Sequence, residues 1–351
     1  MSVKKIVLTA VATLGMVLFL FPLVTGMLSN TNGVEKLTGS LRSSMTPSAL
    51  AQTRADMNTV QAMSDQLQAQ TLPALPGALG MSPDAFKGYM GKNFPDVDNG
   101  VSQLNTILPK FQGLVGGLEM QAPNFRKADE IPTNFLPSTT VPFLFLIPGA
   151  ALFLLAGSAL VLGREKLARA TLVVSAVVGI VFIVAPLVLS VPSKAKAVDD
   201  LTTAFGPVFT DQGAAAARAD MDVIQNMSNQ LQQQTLPALA GALDMNSTQF
   251  HSFMLQNYPD VATGVSQLNT ILPRFQGLVS AIEENVGSFQ KAASIPTAGT
   301  ATTTLSWWFF APGIILLAIG GIGIGIATPA VTRRRVTMQQ DREKRQVLST
   351  T

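Results

Sequence analysis

Four long runs of apolar residues, separated by polar stretches with helical periodicity, set the organisation of this chain. The runs are Ile6 to Leu28, Pro142 to Leu162, Ala170 to Val191 and Leu305 to Val331, and none holds an ionisable residue. A helix needs about 20 apolar residues to cross a bilayer, because lipid cannot satisfy exposed backbone groups. Each run meets that length, so four transmembrane helices are expected. A cleaved signal peptide is the rival reading of the first run. The second half argues against it, because the matching run Ala170 to Val191 lies in mid-chain and has to act as a span.

The polar stretches are patterned as helices too. Val101, Leu104, Leu108, Phe111, Val115 and Leu118 are spaced 3, 4, 3, 4 and 3 apart, an apolar seam along one helix face. The same spacing returns in Val265, Leu268, Leu272, Phe275, Val279 and Ile282. These twelve residues form a candidate seam or interaction surface. Ile107 and Leu114 widen the stripe, which suits a small bundle. Pro109 and Pro273 lie inside these helices and are expected to kink them. An earlier helix is expected over about Ser48 to Thr71, with Met57, Val60, Met63 and Leu67 inward and Pro73 stopping it. Ser82-Pro83-Asp84 reads as a helix start, with Ser at the N-cap and Pro at the first position. Val34, Leu37 and Leu41, like Val198, Leu201 and Phe205, carry helical spacing outward from the first and third spans. No alternating strand pattern competes.

The chain repeats itself at a constant offset of 164 residues. The decapeptide from Gly100 to Pro109 recurs unchanged from Gly264 to Pro273, and Arg54-Ala55-Asp56-Met57 recurs as Arg218-Ala219-Asp220-Met221. Roughly two-thirds of the positions from Arg54 to Val115 match their partners. The expected fold class is therefore an all-α membrane protein with four transmembrane helices in two tandem repeats, each with a small helical extracytoplasmic domain. Each repeat has an even number of spans, so both insert the same way round. A pseudo-two-fold axis along the membrane normal should relate them, as in a fused dimer. Repeat 1 covers 1–164, with spans 6–28 and 142–162 around an extracytoplasmic domain 29–140. Repeat 2 covers 165–331, with spans 170–191 and 305–331 around a domain 192–304. A basic cytoplasmic tail, 332–351, follows.

Charge supplies the orientation. Lys4, Lys5, the loop Arg164 to Arg169 and the tail together hold 11 basic and 3 acidic residues, whereas the segments on the other side hold 13 basic and 18 acidic. Basic residues concentrated beside spans mark the cytoplasmic face. The protein is expected in the cell membrane, multi-pass, with both termini cytoplasmic and Trp307, Trp308, Phe309 and Phe310 at the outer interface. The basic residues serve as anchors, with no separate patch for nucleic acid.

The residue inventory narrows the chemistry. The chain has no cysteine and one histidine, His251. Disulfides and thiol chemistry are excluded. Asp96-Val97-Asp98-Asn99-Gly100 has the wrong spacing for a calcium loop. It reads as helix capping after Pro95, and Ala262 and Thr263 replace Asp98 and Asn99 in the second copy. Met57, Met63, Met81 and Met90 recur as Met221, Met227, Met245 and Met254, at core-facing positions where methionine fills gaps or forms an adaptable apolar surface. Arg54 and Asp56, two residues apart, cannot face one another on a helix and should pair with neighbouring helices or water. Gly321 and Gly325 form a candidate helix-packing pair in the last span. No catalytic, cofactor or metal site is expected. The layout resembles tetraspanins and claudins, but their outer loops depend on cysteines, which excludes both.

The functional expectation is a non-catalytic membrane interaction protein, an accessory, scaffold or assembly subunit of a cell-envelope complex. Its partners would be membrane lipids and an envelope protein. The alternative is an extracytoplasmic binding module or carrier for an apolar ligand such as a lipid.

Overall fold

A computed structural model describes residues 3–327 of the chain. Among the described residues the fold is all helical, with no strand. Helices α1 (Val3–Val24), α2 (Met27–Leu41) and α3 (Pro47–Gln66) are followed by a π turn, Leu67–Thr71. Next come α4 (Leu72–Ala78), α5 (Pro83–Asn93), α6 (Pro95–Asp129) and α7 (Phe143–Leu162). The second half repeats this order. It has α8 (Glu165–Val188), α9 (Val191–Phe205), α10 (Asp211–Gln230), a π turn Leu231–Thr235, α11 (Leu236–Ala242), α12 (Ser247–Asn257), α13 (Pro259–Ala292) and α14 (Leu305–Ala327).

Four segments are long and apolar enough to cross a membrane: Val3–Val24, Ser138–Leu162, Glu165–Val188 and Thr302–Gly323. The first run ends sooner than its apolar residues do, because Gly26 has a φ of 68° and starts a new helix. Ser190 takes the same left-handed turn at the equivalent place, with a φ of 55°. The end of the last apolar run, from 328, and the basic tail 332–351 lie outside the described residues.

Among the described residues, 3–35, 127–199 and 291–327 group into one compact unit, and residues 36–126 and 200–290 into a second. In the first unit α1 pairs with α7, and α8 with α14. Glycines set these approaches. A Cβ on Gly15 would lie 2.7 Å from the Phe153 backbone nitrogen, and one on Gly179 would lie 2.6 Å from that of Leu317. Such contacts bring the two backbones together without a side chain between them.

In the second unit α5 is capped by Ser82, as its sequence predicts, and α3 by Thr46. Thr46 Oγ1 accepts from the Ala49 N–H at 3.2 Å, and Ser82 Oγ from the Ala85 N–H at 3.2 Å. Pro73 does not stop the helix that begins at Pro47. Helix α3 widens into the π turn and continues as α4, with Pro73 in the first turn of α4. Proline lacks an N–H and clashes with the carbonyl four residues back in a regular helix. The wider turn shifts that carbonyl, and the first turn of a helix tolerates the missing donor.

Candidate functional site

The two apolar seams meet in one core. Leu104, Leu108, Phe111 and Val115 of α6 are buried in the same cluster as Leu268, Leu272, Phe275 and Val279 of α13. Phe111 and Phe275 touch edge to face, with ring centres 5.8 Å apart. Val101 and Val265 pack partly buried against this cluster. Leu118 and Ile282 belong to a second cluster with Phe125, Phe209 and Phe289. Met57, Met63 and Met90, with Met221, Met227 and Met254, line the first core, and Met81 and Met245 flank it. The core thus draws on both halves, largely on residues 164 positions apart in the chain.

Three polar side chains buried at this joint, Gln66, Gln230 and Asp56, act across it. The Oε1 atom of Gln230 accepts from the backbone N–H groups of Asp96 at 2.8 Å and Val97 at 3.0 Å, at the start of α6. Gln66 does the same for Asp260 at 2.9 Å and Val261 at 3.1 Å, at the start of α13. The first N–H groups of a helix have no partner within it, so each long helix is capped by a glutamine from the other half. Asp96 and Asp98 lie in the first turn of α6, where the helix dipole favours acids, but the hydrogen-bonding cap is the distant Gln230. Both glutamines end the helix that leads into a π turn, and Thr71 Oγ1 bonds back to the Gln66 carbonyl at 3.3 Å, as Thr235 does to Gln230 at 3.2 Å.

Ion pairs follow the same plan. Arg274 donates to both carboxylate oxygens of buried Asp56, at 2.9 and 2.7 Å, and Lys110 donates to Asp220 at 2.7 Å. Gln52 donates to Asp56 as well, at 2.8 Å. Arg54 instead pairs within its own half, with Glu119, and Arg218 pairs with Glu283 at 2.6 Å. The hydrogen bond from Arg54 holds the Glu119 carboxyl below the ordinary carboxylate range. Backbone fit completes the joint. A Cβ on Gly100 would lie 2.6 Å from Met227 Cβ, and one on Gly264 would lie 2.6 Å from Met63 Cβ.

A groove of 530 Å³ opens between α11, α12 and α13. Leu236, Phe250, Met254 and Val265 give it an apolar floor, and exposed His251 stands at its edge. Lys87, the counterpart of His251, is exposed on α5, as are Lys92 and its counterpart Gln256.

In the first unit, a carboxylate meets the start of each returning span. Glu35 Oε2 accepts from the N–H and hydroxyl of Ser138, both at 2.9 Å, and Asp199 accepts from the N–H groups of Thr302 at 2.6 Å and Thr303 at 3.1 Å. Asn30 Nδ2 donates to the Ser294 carbonyl at 2.8 Å, and Lys194, 164 residues on, donates to the carbonyls of Glu130 and Pro132. Phe145, Phe182 and Phe309 cluster between the helix pairs, and Trp308 stacks on Phe21 at 4.0 Å. In α14 a Cβ on Gly321 would meet open space, whereas one on Gly320 would lie 2.7 Å from Ala176 Cβ and one on Gly323 2.6 Å from Leu172. The surroundings of Gly325 lie outside the described residues.

The arrangement provides capping, ion pairing and apolar enclosure. Among the described residues no group of three or more His, Asp or Glu is placed to hold a metal ion. Comparison with protein families, with curated proteins and with solved structures finds no match. The class that the fold itself defines is an all-helical protein with four helices long and apolar enough to cross a membrane.

Proposed function

We propose that this chain is a duplicated integral membrane protein of the cell envelope that works by binding other molecules and catalyses nothing. Both termini lie in the cytoplasm, and the unit formed by residues 36–126 and 200–290 faces outward. The concentration of basic residues beside one set of span ends supports that orientation. The observation that carries the functional reading is the use made of the buried polar groups. Gln66, Gln230 and Asp56 are spent on tying the two halves together. What the outward unit then presents is a firm body with two related but unlike surfaces. Lys87 and Lys92 of the first half are replaced by His251 and Gln256 at the matching positions of the second. Surface charge of this kind steers association and partner choice more than folding. An accessory, scaffold or assembly subunit has these needs.

Affinity purification in mild detergent, with mass spectrometry of the protein and lipid fractions, tests the proposal. A protein partner in fixed ratio is expected. Recovery of the chain alone under conditions that preserve other envelope complexes contradicts it. The groove beside His251 favours a second reading, in which the outward unit holds an apolar ligand such as a lipid.

A further inference from the structure

We infer that the groove between α11, α12 and α13 is a binding site for one hydrocarbon chain of an uncharged amphiphile, and that the equivalent face of the first half is not. The inference rests on the reading of the chain as a four-span membrane protein with an outward unit.

Size and lining come first. At 530 Å³ the groove falls within the range of about 300–1,000 Å³ that encloses small ligands. Its floor is apolar and includes Met254 and Met245, whose unbranched side chains adapt to a flexible guest. Polar groups are confined to Gln232, Ser247, Ser266 and His251. That pattern suits an apolar chain with a single hydrogen-bonding end.

The comparison between the halves decides the ligand's charge and the site's location. Four groove positions differ in kind from their partners 164 residues earlier, among them Ser247, where the first half has Pro83. Ala240 stands where the first half has Pro76, Ala262 where it has Asp98, and His251 where it has Lys87. Two of these exchanges remove bulk from the wall. Two remove a full charge, so that no Lys, Arg, Asp or Glu lines the groove. The surrounding core residues are kept almost unchanged, Phe250 for Phe86 and Met254 for Met90 among them. Burying apolar surface is favourable, whereas a charged wall would have to be desolvated by an apolar guest. The second half is therefore the apolar host. A chain held at the bilayer by its spans meets lipid as its most abundant apolar neighbour.

The test uses the full chain in lipid nanodiscs with a hexadecanol analogue bearing a diazirine on its alkyl chain. After photolysis, adducts are mapped by peptide mass spectrometry. The two halves differ enough in sequence for their peptides to be told apart. Labelling is expected on the apolar spans and on 236–266, with at least about tenfold less on the matching stretch 72–102. The double variant Ala240→Pro with Ala262→Asp installs residues that the first half already accommodates. It should lose the groove adducts by about tenfold while the spans stay labelled and the melting temperature holds. Conversely, Pro76→Ala with Asp98→Ala should raise labelling of 72–102. Spans labelled without the groove, equal labelling of both halves, or adducts unchanged in the double variant would each overturn the site while leaving the four-span reading intact. Spans that stay unlabelled would overturn both.

Discussion

Replacing Gln230 with alanine should loosen a helix that begins 134 residues away from it in sequence. The side chain accepts two hydrogen bonds, at 2.8 and 3.0 Å, from the N–H groups of Asp96 and Val97. Val97 is buried, 3% exposed, so water cannot readily take over. Loss of a helix cap costs about 0.5–2 kcal/mol, and a buried donor left without a partner costs about 1–3 kcal/mol. A local penalty of about 2 kcal/mol follows, which is about a 30-fold change in an opening equilibrium. Hydrogen exchange read by mass spectrometry on the full chain reports it directly. The amides at 96–97 should exchange about 30-fold faster in Gln230→Ala, with those at 260–261 little changed. Gln66→Ala should show the mirror result. Gln230→Glu keeps an acceptor at the same place, so at neutral pH it should restore much of the protection. If either alanine variant speeds exchange only in its own half, or changes nothing, the capping across the halves is wrong.

Two further outcomes follow from the same joint, and a third from an ion pair within the first half. Gly100→Ala would place a methyl group 2.6 Å from Met227 Cβ, and should lower stability by about 1–3 kcal/mol in thermal unfolding. Leu104→Asp and Leu268→Asp each put a charge into the shared core, where both leucines are 1% exposed. Each should destabilise the whole unit of residues 36–126 and 200–290 in one transition by several kcal/mol, and separate melting of the two halves would refute the common core. Glu119 has a lowered pKa because Arg54 donates to its carboxylate, so its contribution is complete above the ordinary carboxylate range and is lost as the pH falls through the lowered value. Stability should therefore decline on acidification, and Glu119→Gln should flatten that decline in melting curves taken across acidic pH.

Much of this architecture is legible in the residue pattern. Apolar runs locate the four candidate spans, and the spacing from Val101 to Leu118 identifies the buried face of α6. What periodicity does not carry is the partner. A stripe specifies a face to be buried, and two nearly identical stripes are equally suited to packing within one copy or against the other. Glutamine is an uncommon cap, and Gln230 lies far from α6 in sequence, so no local motif announces the contact. The π turn is hidden for a related reason. Leu67 to Thr71 has ordinary helical composition, and Pro73 looks like a stop unless the turn before it widens. In α14 every face is apolar, so composition does not distinguish Gly320 and Gly323, which meet α8, from Gly321, which does not.

The orientation of the chain is the claim on which the proposed function depends, and the absence of cysteine allows single thiols to be introduced cleanly. Ser82→Cys, Ser247→Cys and Ser349→Cys are treated with a membrane-impermeant thiol reagent before and after permeabilisation. Ser82→Cys and Ser247→Cys should react on intact cells, and Ser349→Cys only once the membrane is opened. Equal labelling of all three on intact cells, or protection of the first two, would contradict that orientation.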